Sequence, residues 1–179
     1  MRNKILSLGC GRRKAESDVV RVDISAEMNP DRVWDLDQVP WPFADSEFDT
    51  VECFDVIEHV ESVVRCLEEV HRVLRPGGRL RLTTPHFSCA NSYIDPTHRH
   101  HLAHASFDYF CEGHPLNYYG KARFAIALRR IEFTGGRWNR LVMRRISNRW
   151  PSWYEHRWAW IFPAWFLEVE MVAVKGGKG

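Results

Sequence analysis

The sequence predicts an α/β domain built on a doubly wound, mostly parallel sheet, and three stretches carry that prediction. The first is "LSLGCGRRKAESDVVRVD", residues 6–23, where a strand-like run meets a glycine loop and a second run ends in an acid. A nucleotide-type pocket opens this way in such folds. The second spans 48–84 and reads strand, helix, strand, at a length that suits parallel strands joined by a crossover. The third is the near-continuous apolar character of 5–8 and 19–22, expected of strands covered on both faces.

In order, the predicted strands are 5–8, 19–22, 32–34, 48–53, 79–84, 123–134 and 166–175. A helix is predicted over "ESVVRCLEEVHRVL", with Val63, Val64, Leu67, Val70 and Leu74 as its apolar stripe and Pro76-Gly77-Gly78 ending it. Residues 86–122 read as a loop rich in histidine and aromatics. Two helical pieces follow. One carries Trp138, Val142, Ile146 and Trp150 on one side and arginines on the other. The second begins at the capping-box pattern Ser152-Trp153-Tyr154-Glu155 and stops at Pro163.

A chain of 179 residues suits one domain, 1–179: a front half (5–85), the histidine loop (86–122) and two final strands with a Trp/Arg-rich insert at about 136–164. Five scattered cysteines without a CxxC suit a reduced, cytoplasmic protein. The N-terminal residues hold no apolar stretch long enough for a signal peptide. The formal charge of +2 hides an asymmetry: residues 1–119 carry a net −6 and residues 120–179 a net +8, with six of the eight tryptophans.

Gly9-Cys10-Gly11 followed by Asp23 fits a pocket for a ribose, whose hydroxyls a strand-end carboxylate accepts. A solvated acid at a strand end is the plainer alternative. Lys14 stands where a dinucleotide fold places its third glycine, and too few residues follow for a helix to hold a pyrophosphate. A ligand with ribose and adenine but no phosphate needs neither.

Five elements then occur in order: Leu8-Gly9-Cys10-Gly11, Asp23, Asp35-Leu36 with Pro42-Phe43, Phe48-Asp49 leading to Ile57-Glu58-His59-Val60, and Val73-Leu74-Arg75-Pro76-Gly77-Gly78. In these the chain resembles the class I S-adenosylmethionine-dependent methyltransferases, in their small-molecule branch with a methyltransferase type 11 domain. The resemblance implies a Rossmann-like class I methyltransferase fold, with a seven-strand, mostly parallel sheet whose last strand is antiparallel. It implies S-adenosylmethionine as cofactor. Gly9, Cys10 and Gly11 would border its methionine part, Asp23 would bind the ribose, and Ile24, Asp35 and Leu36 would surround the adenine. Phe54 and Asp55 would face the sulfonium.

Two departures stand out. Ser7 replaces the acid that the family usually carries two residues before its first glycine. The connections 12–18 and 25–31 are too short for full helices, so the helices on one sheet face are reduced. A Val/Ile/Leu face cannot stay in water. The Trp-rich segment is expected to cover it, with a homodimer as the other solution.

Methyl transfer needs an acceptor held in line and, for a hydroxyl, a base. His98, in the turn Asp95-Pro96-Thr97-His98, is the first candidate, with Asp95 to orient it. His86 and His59 are the alternatives, beside the plainer reading of all three as loop-lining residues. No metal is expected: His100 and His104 lack an HExxH-type pattern or a cysteine partner. The predicted activity is methylation of a small-molecule acceptor, such as a sugar or glycan hydroxyl. Rival readings are a non-catalytic interaction module and an RNA-binding protein or RNA methyltransferase. The basic, aromatic back third leaves peripheral membrane contact open and gives nucleic acid less support.

Overall fold

The computed structural model describes residues 3–136 and 139–176. Seven strands form one sheet: β1 (Ile5–Leu8), β2 (Val19–Asp23), β3 (Arg32–Val33), β4 (Phe48–Phe54), β5 (Leu74–Pro85), β6 (Phe124–Glu132) and β7 (Phe166–Ala173). Their order is β3-β2-β1-β4-β5-β7-β6. The first five pair in parallel, and β7 runs antiparallel to both β5 and β6. The crossover helix α1 (Val63–Val73) is capped by Ser62, whose hydroxyl accepts from the Arg65 N–H. Leu74 lies just past it as the first residue of β5, paired with Phe48 of β4, instead of extending the helical stripe.

The two faces of the sheet differ sharply. Leu6, Leu8, Val51, Cys53, Leu80, Leu82, Val169 and Met171 alternate onto one face and are almost wholly buried. They share a core with Leu67, Val70 and Val73 of α1 and with Phe107 and Phe110. The other face carries Ser7, Arg21, Glu52, Arg79, Arg81, Glu168 and Glu170, the residues between them. Arg13 and Arg81 pair with Glu52, Arg79 and Arg81 with Glu170, and Arg130 with Glu168. This face lacks full helices. The connection between β1 and β2 has none, and that between β2 and β3 has a single 3-10 turn, Ala26–Met28.

The expected apolar cover is therefore corrected. The bare face is not a Val/Ile/Leu surface, and the Arg79 and Arg81 side chains on it remain 57% and 56% exposed. A cross-strand ladder of opposite charges meets water without help. The Trp-rich segment lies elsewhere. After α2 (Asn91–Ile94), the segment forms a π-turn (Asn139–Met143), α3 (Arg144–Arg149) and α4 (Pro151–Arg157). Trp138 falls outside the described residues. Asn148 on α3 accepts from Ile131 N–H and donates to Ile131 C=O, both at 2.8 Å, so it satisfies the open edge of β6.

The predicted capping box at Ser152 does not form. Pro151 takes the first helical position, which its fixed φ favours, and α4 starts there. Glu155 instead receives the His104 N–H at 2.7 Å and meets His86 Nε2 at 3.1 Å. The helix ends at Arg157, and the next residues turn back so that the buried Tyr154 hydroxyl donates to the Phe162 carbonyl at 2.7 Å. Burial pushes the Tyr154 phenol up to about 12. Tyr154→Phe is expected to cost about 1–2 kcal/mol, read as a lower urea midpoint at constant slope, because it leaves a carbonyl unpaired.

Candidate functional site

The site lies at the C-terminal ends of β1, β2 and β4, where parallel sheets bind ligands. Chain geometry builds it. Gly9, at φ +54°, turns the chain off β1, and Asp55, also at φ +54°, turns it off β4. Asp55 is held by its N–H to Thr83 C=O at 3.0 Å and by the Thr83 hydroxyl donating to Oδ1 at 3.1 Å. These turns bring Val56 against Gly9: a Cβ on Gly9 would stand 2.3 Å from Val56 Cγ2. The loop in place of a helix after β3 is pinned by buried Trp41, whose indole N–H donates to Leu36 C=O. It is pinned again by Arg72, which donates to the Trp41 and Phe43 carbonyls.

A cleft of ≈ 560 Å³ results, lined by Gly9, Asp23, Ile24, Trp34, Asp35, Leu36, Asp37, Asp55, Val56, His59, Val60, Thr97 and Arg99. Each Asp23 oxygen accepts one backbone N–H, Oδ2 from Gly11 at 2.9 Å and Oδ1 from Ser25 at 3.0 Å. That fixes the carboxylate and leaves a lone pair on each oxygen. Four aspartates against one arginine make the cleft acidic, which favours a cationic ligand over a phosphate-bearing one.

Of the sequence-predicted cofactor residues, Gly9, Asp23, Ile24, Asp35, Leu36 and Asp55 line this cleft. Gly11 borders it through its bond to Asp23. Cys10, Ser7 and Phe54 do not line it. Cys10 is buried and its N–H donates to Val22 C=O. Alternation places Ser7 and Phe54 on the charged face, where the Ser7 hydroxyl meets Arg13 at 3.4 Å. Sequence reading missed Trp34, Asp37, Val56, Val60, Thr97 and Arg99. Val60 and Thr97 sit inside the motifs Ile57-Glu58-His59-Val60 and Asp95-Pro96-Thr97-His98.

The three histidines separate. His86 is fully buried, between the Ser88 hydroxyl at 2.8 Å and Glu155 at 3.1 Å, away from the cleft. His98 is inside too, with its side chain 8% exposed. Its Nδ1 lies 3.3 Å from the Ser92 carbonyl, and its ring meets His59 edge-on at 4.6 Å. His59 alone of the three lines the cleft. The expected turn at Asp95 is present, but it serves a different histidine. Asp95 Oδ1 accepts both the Thr97 N–H and the Thr97 hydroxyl, and Thr97 Oγ1 then meets His59 Nδ1 at 2.9 Å. Burial, then the neighbouring His98, holds His59 below the usual imidazole range. Burial also lowers His104, to about 4, with Arg129 adding to it.

Residues 6–82 match the model of a family described as a methyltransferase domain. An S-adenosylmethionine-dependent methyltransferase from Mesorhizobium loti superposes with a TM-score of 0.61 at 20% identity, over 94% of this chain and 90% of its own. Another, from Archaeoglobus fulgidus, gives 0.64 at 15% identity, over 95% and 86%. The fold is that of the class I methyltransferases. Both neighbours are described as dependent on S-adenosylmethionine. The methyltransferase fold also appears in a protein described as the [4+2]-cyclase SpnF, with a TM-score of 0.58 at 17% identity over 97% of this chain and 75% of that one. Fold alone thus leaves the reaction to be argued from the site. No curated protein matches the sequence. Among the described residues no helix is long and apolar enough to cross a membrane.

Proposed function

We propose that the protein methylates a hydroxyl of a neutral, polar small molecule of the sugar or glycan-end class, with S-adenosylmethionine held in the acidic cleft. The observation that carries this reading is the position of Asp23 in the cleft that also holds His59. Asp23 would accept both ribose hydroxyls, Ile24 and Leu36 would cover the adenine, and Asp35 would accept from its amino group. Gly9 would let the chain approach the methionine part, and Asp55 would stabilise positive charge at the sulfur. When bound, the cofactor supplies a methyl group activated by a positively charged sulfur. The protein must orient the acceptor and remove its proton.

His59 is the group assigned to that proton. The single Thr97 hydroxyl proton goes to Asp95, so toward His59 the oxygen can only accept. His59 Nδ1–H therefore donates, which leaves Nε2 with a free lone pair. Thr97 and Arg99 offer further hydrogen bonds at the same wall. The acidity of the cleft argues against the RNA reading, since phosphates would be repelled. Exposed Trp153, Trp158, Trp160 and Trp165 support a contact between the back third and an apolar surface, at a membrane or a second copy.

Calorimetric titration with S-adenosylmethionine and its demethylated product tests the first part. Micromolar binding of both is expected, followed by transfer of labelled methyl to free or nucleotide-linked sugars. Failure to bind either compound would leave the interaction-module reading in its place.

A further inference from the structure

Behind the cleft wall stands a cluster that methyl transfer does not use in full. One oxygen of Glu58 and one ring nitrogen each of His59 and His98 all lie within 4.8 Å of one another. Glu58 is 1% exposed. Its Oε2 accepts from the Thr84 hydroxyl at 3.0 Å, but its Oε1 is buried with no hydrogen-bond partner. A carboxylate oxygen in that state is costly unless something positive meets it.

The hydrogen bonds around the two rings sharpen the point. The Ser92 carbonyl can only accept, so His98 Nδ1–H donates to it, and in the neutral ring His98 Nε2 carries a lone pair. That nitrogen faces Glu58 Oε1 at 4.0 Å. With a neutral His98 and an ionised Glu58, two acceptors look at each other across a gap too wide for a hydrogen bond. His59, fixed through Thr97 and Asp95, likewise keeps Nε2 free. Each imidazole has one nitrogen engaged by a neighbour, the arrangement that orients histidine ligands in metal sites.

We propose that Glu58, His59 and His98 bind a divalent first-row cation beside the acceptor end of the cleft. Two imidazoles and one carboxylate with open positions suit a catalytic ion of the Zn²⁺, Co²⁺ or Mn²⁺ type. Bonds of about 2.1 Å require the three donors to close up by a side-chain adjustment. This departs from the sequence, which predicted no metal and drew attention only to His100 and His104. His100 Nε2 instead meets the Val60 carbonyl at 2.9 Å. Only the purpose of the ion rests on the methyl-transfer reading. A coordinated acceptor hydroxyl gives up its proton to solvent more readily, and His59 then serves as ligand in place of base.

The test is titration of the whole, chelator-treated protein with Co²⁺, followed by visible absorption and calorimetry, with Mn²⁺ as competitor. One ion per chain is expected. Glu58→Gln and His98→Asn should each lower affinity at least about tenfold, and Thr97→Val should do so through His59. Circular dichroism establishes that each variant is folded, and the half-buried His59→Asn serves where a buried change is not tolerated. The absence of saturable binding to wild type, or equal binding by folded ligand variants, would overturn the site. Asp23→Ala should keep Co²⁺ affinity while losing S-adenosylmethionine, so failure of one reading is distinguishable from failure of the other.

Discussion

Replacing Asp23 by alanine is expected to weaken S-adenosylmethionine binding by about two to four orders of magnitude. The two proposed ribose hydrogen bonds go to a charged acceptor, worth about 1.5–3 kcal/mol each. Every 1.4 kcal/mol is roughly tenfold in affinity. The carboxylate also organises the site before any ligand arrives. Gly11 N–H and Ser25 N–H both end on it, so its loss releases the glycine loop and the turn after β2 together. Asp23→Asn keeps one acceptor oxygen and should fall between wild type and alanine. Both are read by calorimetry beside a urea melt, since the stability change should be small for a half-buried group. An alanine variant binding within threefold of wild type would remove Asp23 from the site, and the methyl-transfer reading with it.

How much of this was legible in the sequence differs between layers. Six of the seven strands and the crossover helix were readable to within a few residues, because apolar runs and a helical stripe are local signals, whereas Pro76-Gly77-Gly78 lies inside β5 and does not end the helix. The fifth strand was not: it starts at Leu74, five residues before its predicted start. The character of the second sheet face was readable too, in Arg79-Leu80-Arg81-Leu82 and Glu168-Val169-Glu170-Met171, yet the expectation went the other way. A parallel sheet ordinarily needs helices on both faces, and the apolar runs 5–8 and 19–22 point to that arrangement. The period-two alternation of β5 and β7 overrides that expectation: opposite charges meet across strands, so the chain can omit helices without exposing a core.

The candidate site was legible only in part, for a physical reason. Strand-end residues such as Gly9, Asp23 and Asp55 have positions set by the sheet, and the sheet can be read. The histidines belong to a loop whose path depends on contacts remote in sequence. Arg99 and His100 N–H both donate to Glu58 C=O, which draws the loop down behind the end of β4. That contact buries His98, the first candidate, and leaves His59 at the surface of the cleft. Nothing in the spacing of 86–104 encodes it.

The close approach of Gly9 to Val56 makes the second large prediction. Gly9→Ala is expected to cost about 2–5 kcal/mol of stability: about 1–2 for a side chain at positive φ and about 1–3 for the overlap with Val56. Most domains have only about 5–15 kcal/mol in total, so the variant should melt much earlier. Val56 is β-branched and stiff, and it cannot swing aside as a longer chain would. Val56→Ala in the same chain should return the overlap part while leaving the backbone strain. The double variant is then more stable than the sum of the single effects predicts, by an interaction energy of about 0.5–3 kcal/mol. Cofactor affinity should stay low in the double variant, because Val56 lines the cleft and the new methyl group still occupies the approach at Gly9. Strict additivity of the two costs would mean that the chain relaxes at Gly9 without pressing on Val56. The turn after β4 would then be free to move, and the cleft would owe its shape to β2 and the loop after β3 instead.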